Sequence, residues 1–382
     1  MAEPRKKVLS NGEVHWLARW HDPDGRRRSK MFDRKADART FMAQQRVAVA
    51  QGSYTDPGRG KITMGAFIDD HWLPTQSHLR PKTKIKYEGL VERHVRPRFG
   101  TTPLNKIGHA DVARWVSSLR RPDGLPLAPS SVRYCHRVVH LIFDLALRDG
   151  RIHANPAAGV RLPKLPKITK RFLTEDELWR LADCAARYPI PDVGTQYRVM
   201  ILVLGYCGLR WSEASGLKVA RVDLMRRKLT VAETLVEVRG KLLWNRTPKS
   251  HVQRELTIPR FLADELAPVL AGKQPDDLVF QSWRGRPLRN GDWRRDVFNK
   301  ATADAGLPGL TPHELRHTAA SIAVSTGANA KVVQAMLGHA SAAMTMDVYA
   351  GLFGTDQDAV ADRLDARRDP YGTQQQEATV LN

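Results

Sequence analysis

Cysteine is scarce in this chain, and carboxylates are outnumbered. Only Cys135, Cys184 and Cys207 occur in 382 residues, far apart and with no CxxC pair. That excludes a disulfide framework and suits small core residues in a reducing compartment. Long apolar runs are missing too. Stretches such as Met200–Leu204 fall far short of the ~20 residues that cross a bilayer. The first residues do not read as a secretory signal, so a cytoplasmic protein without membrane contact is expected. Asp and Glu number 40 against 61 Lys and Arg, a net charge of +21. An excess of that size points to a polyanionic partner, most often nucleic acid, over a merely solvated basic surface.

The charge that is present is unevenly spread. Residues 1–60 carry 13 basic and 7 acidic side chains, residues 61–170 carry 20 and 8, and residues 171–382 carry 28 and 25. Over half of the excess thus sits in under a third of the chain, as in a DNA-gripping module joined to a more balanced domain. The length also predicts two or three domains.

Five segments follow from local patterning. Residues 1–60 read as a β-rich module with one helix. Val14–Trp20 alternates, Asp22-Pro23-Asp24-Gly25 is a turn, and helical spacing begins at Arg34. Residues 61–160 read as all-helical. Helices are expected over Met64–Trp72 and Ala110–Leu119, and from Lys82-Thr83 and Ser130 onward. Lys82, Lys84, Lys86, Arg93 and Arg96 make this region a candidate DNA surface. Residues 161–171, with two prolines and five basic residues, read as an extended linker, and Lys164 and Lys167 would lie on DNA. The capping box Thr174-x-x-Glu177 opens a mixed α+β domain over 172–355. The tail, 356–382, is polar and Gln-rich in its last part.

The most telling stretch is His313-Glu314-Leu315-Arg316-His317. Read as His-Glu-x-x-His, it is a zinc-protease motif with Glu314 as base. Read as His-x-x-Arg, it places His313 and Arg316 on one face at a helix N-terminus, where backbone N–H groups and the dipole already favour an anion. After His317 the next carboxylate is Asp347, and no His-x-x-Gly-x-x-His extension follows; His339 could serve geometrically as a third ligand, but Arg316 would set a cation within a turn of the metal. The protease reading also leaves several other residues unexplained. Arg210 lies in Gly208-Leu209-Arg210-Trp211-Ser212-Glu213, between a helix stop and a helix start. On that segment alone, a local pair with Glu213 explains it equally well. Lys249 is expected at a hairpin tip, where most lysines are simply solvated. His339 follows the Leu337-Gly338 helix stop, and a lone Tyr349 would ordinarily be core.

Taken together, Gly-Leu-Arg210-x-x-Glu213, Lys249, His313-x-x-Arg316, Leu337-Gly338-His339 and Tyr349 resemble the tyrosine recombinases in order and spacing. The basic helical region resembles that family's core-binding domain, and residues 1–60 resemble the arm-binding module of lambda-type phage integrases. The resemblance implies a multidomain chain, mainly α with small β-sheets, ending in an α+β catalytic domain. It implies phage or mobile-element integration and excision through a 3′-phosphotyrosine at Tyr349. Arg210 and Arg316 would clamp the phosphate, His313 would act as base, Lys249 as acid, and His339 would bind the phosphate. Glu213 and His317 would support. No cofactor and no metal are implied. Expected partners are double-stranded attachment sites, a homotetramer on two duplexes, a host DNA-bending protein and an excision factor. Chromosome-dimer resolution and a type IB topoisomerase are the alternatives that share this chemistry. Zinc metalloprotease is the distant one.

Overall fold

The computed structural model describes residues 3–23, 25–51, 58–166, 171–245, 253–339, 341–349, 361 and 364–365. The chain forms two compact units, residues 1–167 and 168–382.

In the first unit, strands β1 (Arg5–Val8), β2 (Val14–His21) and β3 (Arg27–Phe32) make an antiparallel sheet in that order. Trp16 pairs with Phe32 and His21 with Arg27. The two-residue period of β2 sends Trp16, Ala18 and Trp20 to one face. There Ala18 packs with Ala38 and Met42 of helix α1 (Lys35–Ala50), and Phe41 closes edge-on against Trp20. The turn before β3 is held by the Asp22 carboxylate, which accepts from Arg26 N at 2.8 Å and from Arg28 Nε at 3.0 Å.

The helical part contains α2 (Met64–Phe67), α3 (Pro81–Leu90), α4 (Arg96–Phe99), α5 (His109–Ser118) and α6 (Pro129–Arg148). α2 runs into a π-helical turn over Ile68–Trp72, and α3 into another over Val91–Val95. The apolar stripe of α6 buries Val132, Cys135, Val138, Val139, Ile142, Phe143 and Ala146. Each full-sized side chain among them contributes about 1.5–3 kcal/mol by leaving water. They pack on Phe67, Trp72, Val91, Phe99 and Trp115. Residues 161–166 have no regular structure, and Lys167 lies outside the described residues.

The second unit is built around α8 (Pro191–Cys207), whose Val199–Leu204 run is wholly buried. The helix opens at Pro191, which fits a first helical turn. α7 (Glu175–Ala186) packs beside it and opens with the expected box, Thr174 Oγ1 accepting from Glu177 N. After α9 (Trp211–Ala214) come β4 (Val222–Asp223), β5 (Lys228–Val231), β6 (Thr234–Val238), β7 (Lys241–Asn245) and β8 (Arg254–Thr257). β5 lies between β4 and β8, while β6 and β7 form a separate hairpin. The Leu242-Leu243-Trp244 run of β7 lacks two-residue alternation, and pairing with β6 imposes the extended form. Helices α10 (Arg260–Leu270), α11 (Asn290–Trp293), α12 (Asn299–Asp304), α13 (Pro312–Ser325), α14 (Ala330–Leu337) and α15 (Ala342–Tyr349) complete the unit.

Candidate active site

Two left-handed helix stops shape the site. α8 ends at Gly208 (φ 63°) and α14 at Gly338 (φ 63°). A Cβ on Gly208 would come within 2.5 Å of Leu337, so the stop also lets the two turns approach closely. Arg210 follows directly and is the N-cap of α9. Glu213 makes the reason plain: its carboxylate accepts from Arg210 N at 2.8 Å and from Arg210 Nη1 at 2.9 Å.

Glu213 is only 1% exposed, and a lone buried carboxylate would be costly. Its partner is Arg254 on β8, a residue absent from the expected site. Arg254 Nη1 and Nη2 donate to the two Glu213 oxygens at 3.0 and 2.7 Å. Burial alone would raise the Glu213 carboxyl, but the Arg254 fork and Arg210 together bring it down to about 2.

Arg316, on α13, is 2% exposed. Its Nη1 donates to Gly208 O and its Nη2 to Leu337 O, both at 2.6 Å, so it ties the two glycine turns together. Each terminal nitrogen carries a second N–H for a phosphate. Burial, then Arg210, lowers the Arg316 guanidinium to about 9. Three guanidiniums (Arg210, Arg254, Arg316) against the one Glu213 carboxylate leave a local charge of +2. An anion is the natural complement.

His339 stands just past the Gly338 stop, with Nδ1 in hydrogen-bond contact with Thr345 Oγ1 at 2.9 Å. Burial, then the positive charge of Arg316 and Arg210, pushes its imidazole down to about 4. The ring is therefore neutral at physiological pH. Because this base is depressed from its ordinary 6.5, the unfolded chain binds the proton first as pH falls. Stability should drop between about pH 6.5 and 4. Thermal melts across that window should show a smaller drop for His339→Gln.

Tyr349 closes the site from α15 and is 2% exposed. Its ring packs with Ala320, Val333 and Leu337, and lies near Phe172 and parallel to His339. Burial raises the phenol to about 12. The Tyr349 hydroxyl and His317 Nδ1 lie 2.8 Å apart. The sequence reading gave the proton-accepting role to His313 and a supporting one to His317. In the structure His317 holds the hydroxyl, while His313 is exposed and meets the His317 ring edge-on at 5.0 Å. Glu314 caps its own helix, accepting from Thr311 N at 2.7 Å. No group of three or more His, Cys, Asp or Glu is placed to hold a metal among the described residues. Lys249 falls within 246–252, outside the described residues.

The candidate DNA surface is divided. Lys82, Lys86, Arg93 and Lys164 are exposed, and Lys84 is half-buried. Lys82 and Lys86 are four apart and share a face of α3. Lys86 Nζ sits 3.1 Å above the Tyr134 ring of α6. Arg93 Nε donates back to Gly89 O at 3.0 Å. Arg96 is held in ion pairs within the unit. Its Nε donates to Glu92 at 2.6 Å and its terminal nitrogens to both Asp69 oxygens. Its fork is already neutralised by two carboxylates. On the N-terminal sheet, partial burial and the charges of Arg27 and Arg5 lower the Arg19 guanidinium.

Comparison with known proteins fits this geometry. Residues 171–353 match the phage integrase family, and residues 67–120 match the phage integrase N-terminal SAM-like domain. The tyrosine recombinase XerC of Brucella melitensis is 30% identical over 289 residues, covering 73% of this chain and 87% of its own. The integrase of Mycobacterium phage D29 is 23% identical over 330 residues, covering 82% and 83%. Among solved structures, a lambda integrase tetramer bound to a Holliday junction superimposes with a TM-score of 0.54 at 20% identity, covering 91% of this chain and 95% of that one.

Proposed function

This chain belongs to the phage integrase family, the tyrosine recombinases, and from that premise we propose how its own residues carry out site-specific DNA recombination. The observation that supports the proposal best is the Tyr349 hydroxyl against His317, beside Arg316 and His339.

A phosphodiester is anionic and repels nucleophiles. Its pentacovalent transition state gathers more charge on the non-bridging oxygens. Arg210 and Arg316 donate there, where a preorganised guanidinium stabilises the transition state more than the ground state. His339, held by Thr345, gives a further hydrogen bond. With its phenol near 12, Tyr349 is ionised to only about one part in 10⁵ at pH 7, so it needs a base. The proton passes to the histidine pair, His317 at the hydroxyl with His313 beside it. The Tyr349 oxygen bonds to phosphorus as the bond to the 5′ oxygen breaks. Lys249 supplies the proton to that leaving oxygen. A 5′-hydroxyl of a second strand then reverses the step, so bond energy is conserved in the 3′-phosphotyrosine. Tyr349 is 2% exposed, so its hydroxyl has to be uncovered for this step.

The substrates are double-stranded attachment sites of a phage or other integrative element, brought together by a tetramer on two duplexes. A host DNA-bending protein and an excision factor complete the reaction, which takes place in the cytoplasm of a bacterial host. The sheet-and-helix module at residues 5–50 favours an integrase over a chromosome-dimer resolvase or a topoisomerase. Its Arg5, Arg19 and Arg27 suit arm-type DNA, while Lys82, Lys86, Arg93, Lys164 and Lys167 suit the core site. The recombination test is direct. Two plasmids bearing the candidate attachment sequences should yield joined products, whereas relaxation of supercoils alone would make the enzyme a topoisomerase. Replacing Lys82 and Lys86 with Gln should flatten the log–log salt dependence of DNA binding by up to about 2 units. An unchanged slope would place both lysines away from phosphate.

A further inference from the structure

We propose that Arg254 is a positioning residue for strand exchange, setting the Arg210 turn and the His339 turn at the spacing a phosphate needs. The inference rests on the reading that Arg210 and His339 meet the scissile phosphate.

Arg254 does more than neutralise a buried carboxylate. Its fork meets both oxygens of Glu213, 41 positions away, and its Nε donates at 3.1 Å to Met336 O, 82 positions away. Glu213 in turn holds the backbone and side chain of Arg210. Met336 lies in the last turn of α14, just before the Gly338 stop and His339. A Cβ on Gly338 would stand 3.0 Å from Arg254 Cδ, so the guanidinium is seated directly under that turn. One rigid plane therefore fixes both turns. Arg316 braces the same pair from its own side through Gly208 O and Leu337 O. A single-headed ammonium cannot make a parallel pair to Glu213 and also reach Met336. The charge can thus be kept while the geometry is lost.

Arg254→Lys is the decisive variant, assayed in the full chain. The probe is a duplex carrying the candidate attachment sequence beside the gene, nicked next to the cleavage position. The variant should fold and bind the unnicked duplex within about threefold of wild type, while its single-turnover rate of covalent adduct formation falls about 100-fold. Saturating DNA should not restore the rate. Because Arg254 acts in part through Arg210, adding Arg254→Lys to Arg210→Lys should lower the rate by clearly less than the product of the two single losses. Wild-type cleavage by Arg254→Lys, a loss matched by weaker DNA binding, failure to fold, or an additive double variant would each overturn the inference. If the wild-type protein forms no adduct, the recombinase reading fails instead.

Discussion

Tyr349→Phe should lower covalent attachment to DNA by at least about 10⁵-fold, because the variant loses the attacking oxygen and no other group replaces it. The ring itself keeps its place among Ala320, Val333, Leu337 and Phe172. The hydrogen bond to His317 is lost in the folded protein, a contribution of about 1 kcal/mol. Duplex binding and melting temperature should therefore stay near wild type. This separation of binding from chemistry is the useful feature. Persistence of the adduct in the Phe variant would move the nucleophile elsewhere.

Arg316→Lys should damage both chemistry and fold. The guanidinium is buried and donates to two carbonyls that belong to different helix stops. Lysine cannot serve both and still face a phosphate. At least one buried carbonyl is left unsatisfied, at about 1–3 kcal/mol. Losing the transition-state donors should slow cleavage by about 10²–10³-fold. Arg210→Lys makes a sharp contrast. Its side chain is 24% exposed and, among the described residues, pairs with Glu213 without tying a second turn. A similar kinetic loss is expected there with little change in melting temperature. Equal destabilisation by the two variants would mean that Arg316 does not brace the turns.

Much of this site is legible in the sequence because its parts are local. Gly208 and Gly338 announce helix stops, and Thr311-Pro312 announces the start of α13. The residues of each motif are therefore placed by turns a few positions away. What escapes is long-range. Arg254 lies in Gln253-Arg254-Glu255-Leu256-Thr257, an ordinary strand pattern, and only folding shows its fork on Glu213. Arg96 reads as one more basic side chain, since its partner Asp69 is 27 residues distant. His313 and His317 occupy one helix face, so spacing alone could not decide which of them meets Tyr349. Lys249 lies outside the described residues, and its role as acid is drawn from the family resemblance.

The central claim is that Tyr349 joins covalently to DNA within a cage of Arg210, Arg316 and His339. Its most direct measurement uses the nicked duplex, on which the cleaved fragment diffuses away and traps the intermediate. Digestion of the trapped complex and mass spectrometry of the DNA-linked peptide should place a 3′-phosphate on Tyr349. A DNA-linked peptide carrying the phosphate on any other residue, or cleavage without a covalent peptide, would contradict the account.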